Sequence, residues 1–146
     1  MKLRKLNIKN GFTLIELLVV ISIIGILLGL SIFGLQGARQ SSRDAKRKGD
    51  LEMIRSGIEI YKADCNSYPA ALSTPLVGDG STNCPATNTY ISSVPTDPVP
   101  ASYSYSYTST GATYTLCAYL ENPPAIVIGS GCGSCGATCN YKVTNP

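Results

Sequence analysis

Read by hydrophobic pattern, the chain falls into an unbroken apolar stretch, an amphipathic stretch and a mosaic of short segments. From Leu17 to Ala38 there are 22 residues without Asp, Glu, Lys or Arg, and fourteen of those between Leu17 and Leu35 are Leu, Ile, Val or Phe. As a helix this run is roughly 33 Å long at ~1.5 Å per residue, close to the ~30 Å hydrocarbon core of a bilayer. At about −0.3 to −0.6 kcal/mol for each large apolar residue, insertion is strongly favoured. After Ala38, Leu51, Ile54, Ile58, Tyr61 and Cys65 recur at three- and four-residue intervals, which predicts that the helix continues with one apolar face. Asp50, Glu52, Arg55, Glu59 and Lys62 then form a solvated face, and Asp44 and Lys48 are spaced for an i,i+4 pair. Asn66-Ser67-Tyr68-Pro69 is a stop signal. One helix over the 53 residues from Phe12 to Asp64 would reach roughly 80 Å.

Beyond Asn66 the period shortens. Ser102-Tyr103-Ser104-Tyr105-Ser106-Tyr107 alternates strictly and predicts a strand, Ser109–Ala112 a turn, and Tyr114–Leu120 the partner strand. A third strand is expected from Ala125–Ile128 or from Asn140–Val143, while Pro69–Pro100 reads as a long, proline-rich connection. The expected class is α+β, a long N-terminal membrane-spanning helix packed on a small antiparallel sheet.

Composition narrows the chemistry. The chain has no histidine and no tryptophan, which excludes His-based acid–base catalysis, His metal ligation and a Ser-His-Asp triad. With no nucleophile–base set and no Gly-rich phosphate loop, an enzyme is the poorest fit. Net charge is +3, but Lys2, Arg4, Lys5 and Lys9 supply four of the twelve basic residues. Without them the balance is eight basic against nine acidic, or −1, so nucleic acid is not an expected partner. Arg39, Arg43, Lys46, Arg47 and Lys48 form a second basic cluster, read as a solvated face, with lipid headgroups or acidic stems of neighbouring subunits as the alternatives. Cations on both sides of the apolar run leave its orientation open.

The cysteines decide the orientation. Cys65, Cys84, Cys117, Cys132, Cys135 and Cys139 all lie on one side of the run, bordering or within a loop-rich segment dense in tyrosine. An even number there predicts disulfides in an oxidising space, hence an extracytoplasmic head. Each bridge would contribute ~2–4 kcal/mol, and the sequence leaves the pairing open. The rival reading is a metal site at Cys132-x-x-Cys135-x-x-x-Cys139, which lacks a second CxxC and any histidine.

Glu16 stands at the edge of the apolar run, where a carboxylate is costly and functional by default. A cleavable secretory signal is a poor match, since its apolar core is only about 7–15 residues. Lys9-Asn10-Gly11-Phe12-Thr13-Leu14-Ile15-Glu16-Leu17-Leu18 resembles the processing site of type IV prepilins and type II secretion pseudopilins. The resemblance implies cleavage by a prepilin peptidase between Gly11 and Phe12, N-methylation of Phe12, and a fifth mature residue, Glu16, that meets the N-terminal amine of a neighbouring subunit. It divides the chain into a leader (1–11), a transmembrane and filament-core half-helix (12–38), an exposed half-helix (39–65) and an extracytoplasmic head (66–146). Gly25 and Gly29 form a small-xxx-small pair suited to helix packing in lipid. Phe33 stands where many relatives carry proline, with Gly34 and Gly37 following.

Val94-Pro95-Thr96-Asp97-Pro98 resembles the Pro-x-Asp-Pro element of major pseudopilins, without the Trp-Gly that often follows it. Secretion-type relatives often bind calcium in a head loop. Asp79 and Asp97 are available for that, but no dense acidic cluster accompanies them, so no cofactor or metal is expected. The function expected is a structural subunit of a pilin-like filament, foremost a type II secretion pseudopilin. The alternative is a type IV pilus major or minor pilin acting in adhesion, motility or DNA uptake. Implied partners are the prepilin peptidase, identical and related pilin subunits, an assembly platform protein with its ATPase, and membrane lipid. The implied location is the inner membrane in a single pass with the N-terminus cytoplasmic, and afterwards a periplasmic or surface filament.

Overall fold

The computed structural model describes residues 11–123 and 132–145, and of residues 32–34 the backbone alone. Helix α1 runs over Leu14–Cys65 and is unbroken at Phe33 and Gly34. Strands follow at Leu76–Val77 (β1), Thr89–Ile91 (β2), Ser106–Ser109 (β3), Tyr114–Ala118 (β4) and Tyr141–Thr144 (β5). The chain divides into two compact units, one ending at Ala38 and one beginning at Arg39.

In the first unit α1 starts at a capping box. Thr13 precedes the first helical residue, its Oγ1 accepts the Glu16 N–H at 3.3 Å, and the Glu16 carboxylate accepts the Thr13 N–H at 2.9 Å. Every described side chain from Phe12 to Ser31 is exposed. The helix is long and apolar enough to cross a membrane.

In the second unit the head wraps one face of the helix. Leu51, Ile54 and Ile58 are fully buried and Tyr61 nearly so, as the apolar spacing predicts. They pack into one core with Leu76, Ile91, Tyr114, Leu116, Ala118 and Val143. The helix ends where Asn66 takes a left-handed φ of 60° and its N–H returns to the Lys62 carbonyl at 3.0 Å.

β3, β4 and β5 form an antiparallel sheet with β4 in the centre, Leu116 lying opposite both Tyr107 and Val143. The third strand is thus the Asn140–Val143 candidate, displaced by one residue, and Ala125–Ile128 lies outside the described residues. The Tyr-Ser alternation yields a strand only from Ser106. Before it the backbone leaves the sheet, and Ser104 N–H bonds the Cys135 carbonyl at 3.1 Å. Because Ser106 pairs with Cys117 near the end of β4, no strand remains opposite residues 102–104. β4 likewise stops at Ala118, two residues short of Leu120, where the Asn140 side chain takes over the Leu120 backbone N–H and carbonyl.

The Pro69–Pro100 connection is not featureless. It contains β1 and β2, paired antiparallel with a register shift between Leu76 and Val77. β2 lies against the helix at Gly57, where an added Cβ would meet Ile91 Cγ1 at 2.3 Å. Gly57→Ala is therefore expected to destabilise the head in urea unfolding, although an exposed helical Gly→Ala change would stabilise by ~1 kcal/mol. Ile58→Ala is expected to cost ~2–5 kcal/mol by the same measurement.

Candidate functional site

The residues expected to be processed lie at the start of α1. Gly11 and Phe12 precede the helix, and Phe12 is 79% exposed. Glu16 is held in the capping box, its Oε2 also accepting the Thr13 hydroxyl at 2.6 Å. The Thr-x-x-Glu spacing is the sequence sign of this local role. Oε1 has no hydrogen bond among the described residues, and Glu16 is exposed. An added Cβ at Gly25 or Gly29 meets nothing within 4 Å, so within one chain neither glycine is used for close packing.

The head holds a cluster that the charge pattern concealed. Arg47, placed by the sequence reading on a solvated face, is fully buried. Its Nε and Nη2 donate to the two oxygens of Asp97 at 2.8 and 3.1 Å, and its Nη1 donates to Asp44 at 2.8 Å and Glu121 at 2.9 Å. Its guanidinium also lies 5.2 Å from the Tyr103 ring centroid. Arg43 grips Glu121 through Nε and Nη2. Asp44 pairs with Arg47 rather than Lys48, and it accepts the backbone N–H groups of Glu121 and Asn122 at 2.9 and 2.8 Å.

The Asp97 oxygen that receives Nη2 also accepts the Val99 N–H at 2.7 Å. A residue before proline is restricted to extended backbone, which limits the ways Asp97 can present its carboxylate to the helix. Among the described residues no buried side-chain polar atom lacks a partner.

The charges respond accordingly. Hydrogen bonds to Asp97, opposed by burial and supported by Glu121 and Asp44, raise the Arg47 pKa above the usual arginine range. The hydrogen bonds from Arg43 and then Arg47 lower the Glu121 carboxyl to about 2. Asp50, also expected in solvent, is buried and accepts the Tyr105 hydroxyl at 2.7 Å. Burial and this carboxylate raise the Tyr105 pKa. Glu59 accepts two tyrosine hydroxyls, from Tyr68 at 3.0 Å and Tyr114 at 3.1 Å.

All six cysteines are paired. Cys65, at the end of α1, bonds Cys84, Cys117 of β4 bonds Cys132, and Cys135 bonds Cys139. The pairing agrees with the expected disulfides and not with the rival metal site at Cys132, Cys135 and Cys139, since a disulfide sulfur is no longer a thiolate ligand. Gly136, inside the last of these loops, has φ 81°, and an added Cβ would sit 2.0 Å from the Ser102 carbonyl oxygen. Asp97, one of the two candidate calcium ligands, is committed to Arg47, while Asp79 is exposed and accepts the Ser81 N–H at 2.9 Å. Among the described residues no three Cys, Asp or Glu side chains gather where a metal could be held.

A long apolar helix whose second half carries a small, disulfide-bonded antiparallel sheet is a pilin-like α+β architecture. Residues 6–32 match the prokaryotic N-terminal methylation motif and residues 35–122 match type II secretion system protein G. The chain belongs to the type II secretion system protein G family. It is 35% identical over 97 residues to the type II secretion system core protein G of Pectobacterium carotovorum, covering 62% of each chain. It is 32% identical over 102 residues to the Klebsiella pneumoniae protein of the same name, covering 65% of this chain and 72% of that one. For the Pseudomonas aeruginosa protein the figures are 29% over 114 residues, 74% and 80%. Against the Aeromonas hydrophila relative the chain spans only 43% of that protein's length. No solved structure gives a significant match.

Arg47→Ala leaves Asp97 and Asp44 buried without their cation and is expected to cost ~3–5 kcal/mol in urea unfolding of the full chain in detergent. Arg47→Lys should fall between, because an ammonium cannot span both Asp97 oxygens. A carboxyl pKa lowered from 4.5 to about 2 stabilises the folded head above the unfolded value and ceases to do so as pH falls through the folded one. The stability gap between the native chain and Glu121→Gln should therefore be full at neutral pH and close between pH 4.5 and about 2.

Proposed function

We propose that this chain is a pseudopilin, a structural subunit of the type II secretion filament. In this reading the apolar helix stores the subunit in the cytoplasmic membrane with the disulfide-bonded head outside. Prepilin peptidase cuts between Gly11 and Phe12 and the new Phe12 amine is methylated. An assembly platform and its ATPase then add the subunit to a filament of identical and related subunits. The single observation that carries the reading is the pairing of the methylation motif at 6–32 with the protein G match at 35–122 on one chain. The exposure of every described side chain from Phe12 to Ser31 supports it, because such a surface needs lipid or other helices to cover it.

Glu16 then has two successive roles. In the single chain its Oε2 closes the capping box, and its Oε1 remains open to accept from the cationic amine of a neighbour. Pairing the two charges removes the cost of leaving each alone in a low-dielectric bundle. Gly25 and Gly29 would serve close approach between helices of different subunits.

Mass spectrometry of the mature chain is expected to find N-methyl-Phe12 as the first residue, and an N-terminus at Met1 would refute the reading. Glu16→Gln separates the two roles, since glutamine can still close a capping box. It should insert normally yet weaken subunit association by about a hundredfold, the equivalent of ~3 kcal/mol for an unpaired charge near the bilayer. Filament yield by electron microscopy is the measurement.

A further inference from the structure

The charge of the head unit is divided along its stretch of the helix. At the end nearest Ala38, the five cations of Arg39–Lys48 stand against three carboxylates, Asp44, Asp97 and Glu121, a balance of +2. The remainder of the unit holds Arg55, Lys62 and Lys142 against Asp50, Glu52, Glu59, Asp64 and Asp79, a balance of −2. All three carboxylates of the basic end are already taken by Arg43 and Arg47. Arg39, Lys46 and Lys48 are exposed and have no ion-pair partner among the described residues. The free charge at this end is therefore positive.

Three tyrosines surround the same end. Among the half-buried tyrosines, Tyr90, Tyr105 and Tyr107 give their hydroxyls to Asp64, Asp50 and the Pro69 carbonyl. Tyr103, Tyr119 and Tyr141, also half-buried, give theirs to no acceptor among the described residues. The Tyr103 ring centroid lies 5.2 Å from the Arg47 guanidinium, Tyr119 stacks on Tyr103 at 4.6 Å, and the Tyr141 ring lies 5.8 Å from the Lys48 ammonium. Tyrosines with wet hydroxyls beside free Lys and Arg are the composition of a membrane–water interface. Chain length agrees. Arg39 directly follows the apolar run, and Lys48 is ten residues past Ala38, roughly 15 Å of helix. Helical side chains tilt toward the N-terminus, so Lys46 and Lys48 lean back toward the apolar run and reach a headgroup layer about 5–8 Å thick.

We infer that the basic, tyrosine-bearing end of the head is a docking surface for the anionic phospholipid headgroups of the bilayer that holds the span. Arg39, Lys46 and Lys48 donate to headgroup phosphates, and the hydroxyls of Tyr103, Tyr119 and Tyr141 donate to neighbouring headgroup oxygens. The positive end meets an anionic surface and the negative end points away from it. The inference rests on the membrane-stored subunit proposed above and adds a second hold on the bilayer, made by the head. A subunit leaving for the filament gives up these contacts, so the lipid charge biases the balance between storage and assembly.

The chain has no tryptophan, so Tyr119→Trp places a single reporter on this surface. The full chain is reconstituted at fewer than one copy per vesicle, in phosphatidylcholine with or without phosphatidylglycerol. A nitroxide on the lipid headgroup serves as quencher. Expected in the anionic vesicles is quenching at least severalfold stronger than for Thr82→Trp, in the exposed loop that Cys65–Cys84 fastens to the far end of the helix. Lys46→Gln with Lys48→Gln should lower the ratio of docked to free heads by about tenfold or more, with the head's unfolding curve unchanged. High salt should act in the same direction. Quenching no stronger for Tyr119→Trp than for Thr82→Trp, or equal with and without phosphatidylglycerol, overturns the docking surface. A reporter shielded only when copies are crowded gives the surface to another chain and overturns it too. Leu27→Trp, in the apolar run, is the control for the span and should be quenched by an acyl-chain nitroxide in every vesicle. Without that quenching the membrane-stored subunit fails, and the inference with it.

Discussion

A buried guanidinium cannot remain without anionic partners, and in this head it draws them from three separate parts of the chain. Asp44 lies one turn away on the helix, Asp97 comes from the proline-bracketed loop, and Glu121 from the segment just after β4. Desolvating one cation and three carboxylates is expensive, so the arrangement survives only because each hydrogen-bonding group has a partner. What such a cluster contributes is definition of position. A head sliding by one helical turn would part Arg47 from Asp97 and Glu121 and leave it with Asp44 alone, the partner on its own helix. The Pro-x-Asp-Pro element acquires a physical purpose in this way, as the presenter of the carboxylate that meets Arg47 in bidentate fashion.

The same logic extends up the helix in weaker form. Asp50, Glu59 and Asp64 each accept a tyrosine hydroxyl from the head, at 2.7 to 3.1 Å. Tyrosine suits this position because its ring fills the core while its hydroxyl satisfies a helix carboxylate. The sheet has only three short strands and the β1–β2 pair only two, so the apolar area is limited and crosslinks take up part of the task. Cys65–Cys84 fastens the end of the helix, and Cys117–Cys132 fastens the centre of the sheet. Each is worth ~2–4 kcal/mol in a domain of this size.

The two halves of the helix obey different solvents. Up to Ala38 its described side chains are mostly apolar and all uncovered, which suits lipid or a bundle of like helices. From Arg39 onward one face is taken by the head and another carries Lys46, Met53 and Ile60 into water. A single residue type read in isolation therefore misleads. Basic residues in the 39–48 cluster meet opposite fates, with Arg47 buried and Lys46 exposed one position away.

The sequence alone determined the apolar run, the helix stop at Asn66, the core stripe from Leu51 to Tyr61 and the β3–β4 hairpin, because each is a local pattern of period, turn chemistry or hydrophobicity. Two further local signs lie in it. Thr13-x-x-Glu16 spells a capping box, and the three-four spacing of Leu51 and Ile54 extends backward through Arg47 and Asp44, which puts those charges on the covered face. Their charge argued for solvent, and periodicity proved the stronger guide. Only the tertiary structure decided that Asp97 and Glu121, 50 and 74 residues from Arg47, are its partners, which cysteines pair, and that the Pro69–Pro100 connection folds into β1 and β2. Those outcomes depend on which distant segments meet in space. A lone carboxylate, a lone cysteine or a two-residue strand looks the same along the chain whatever it will meet.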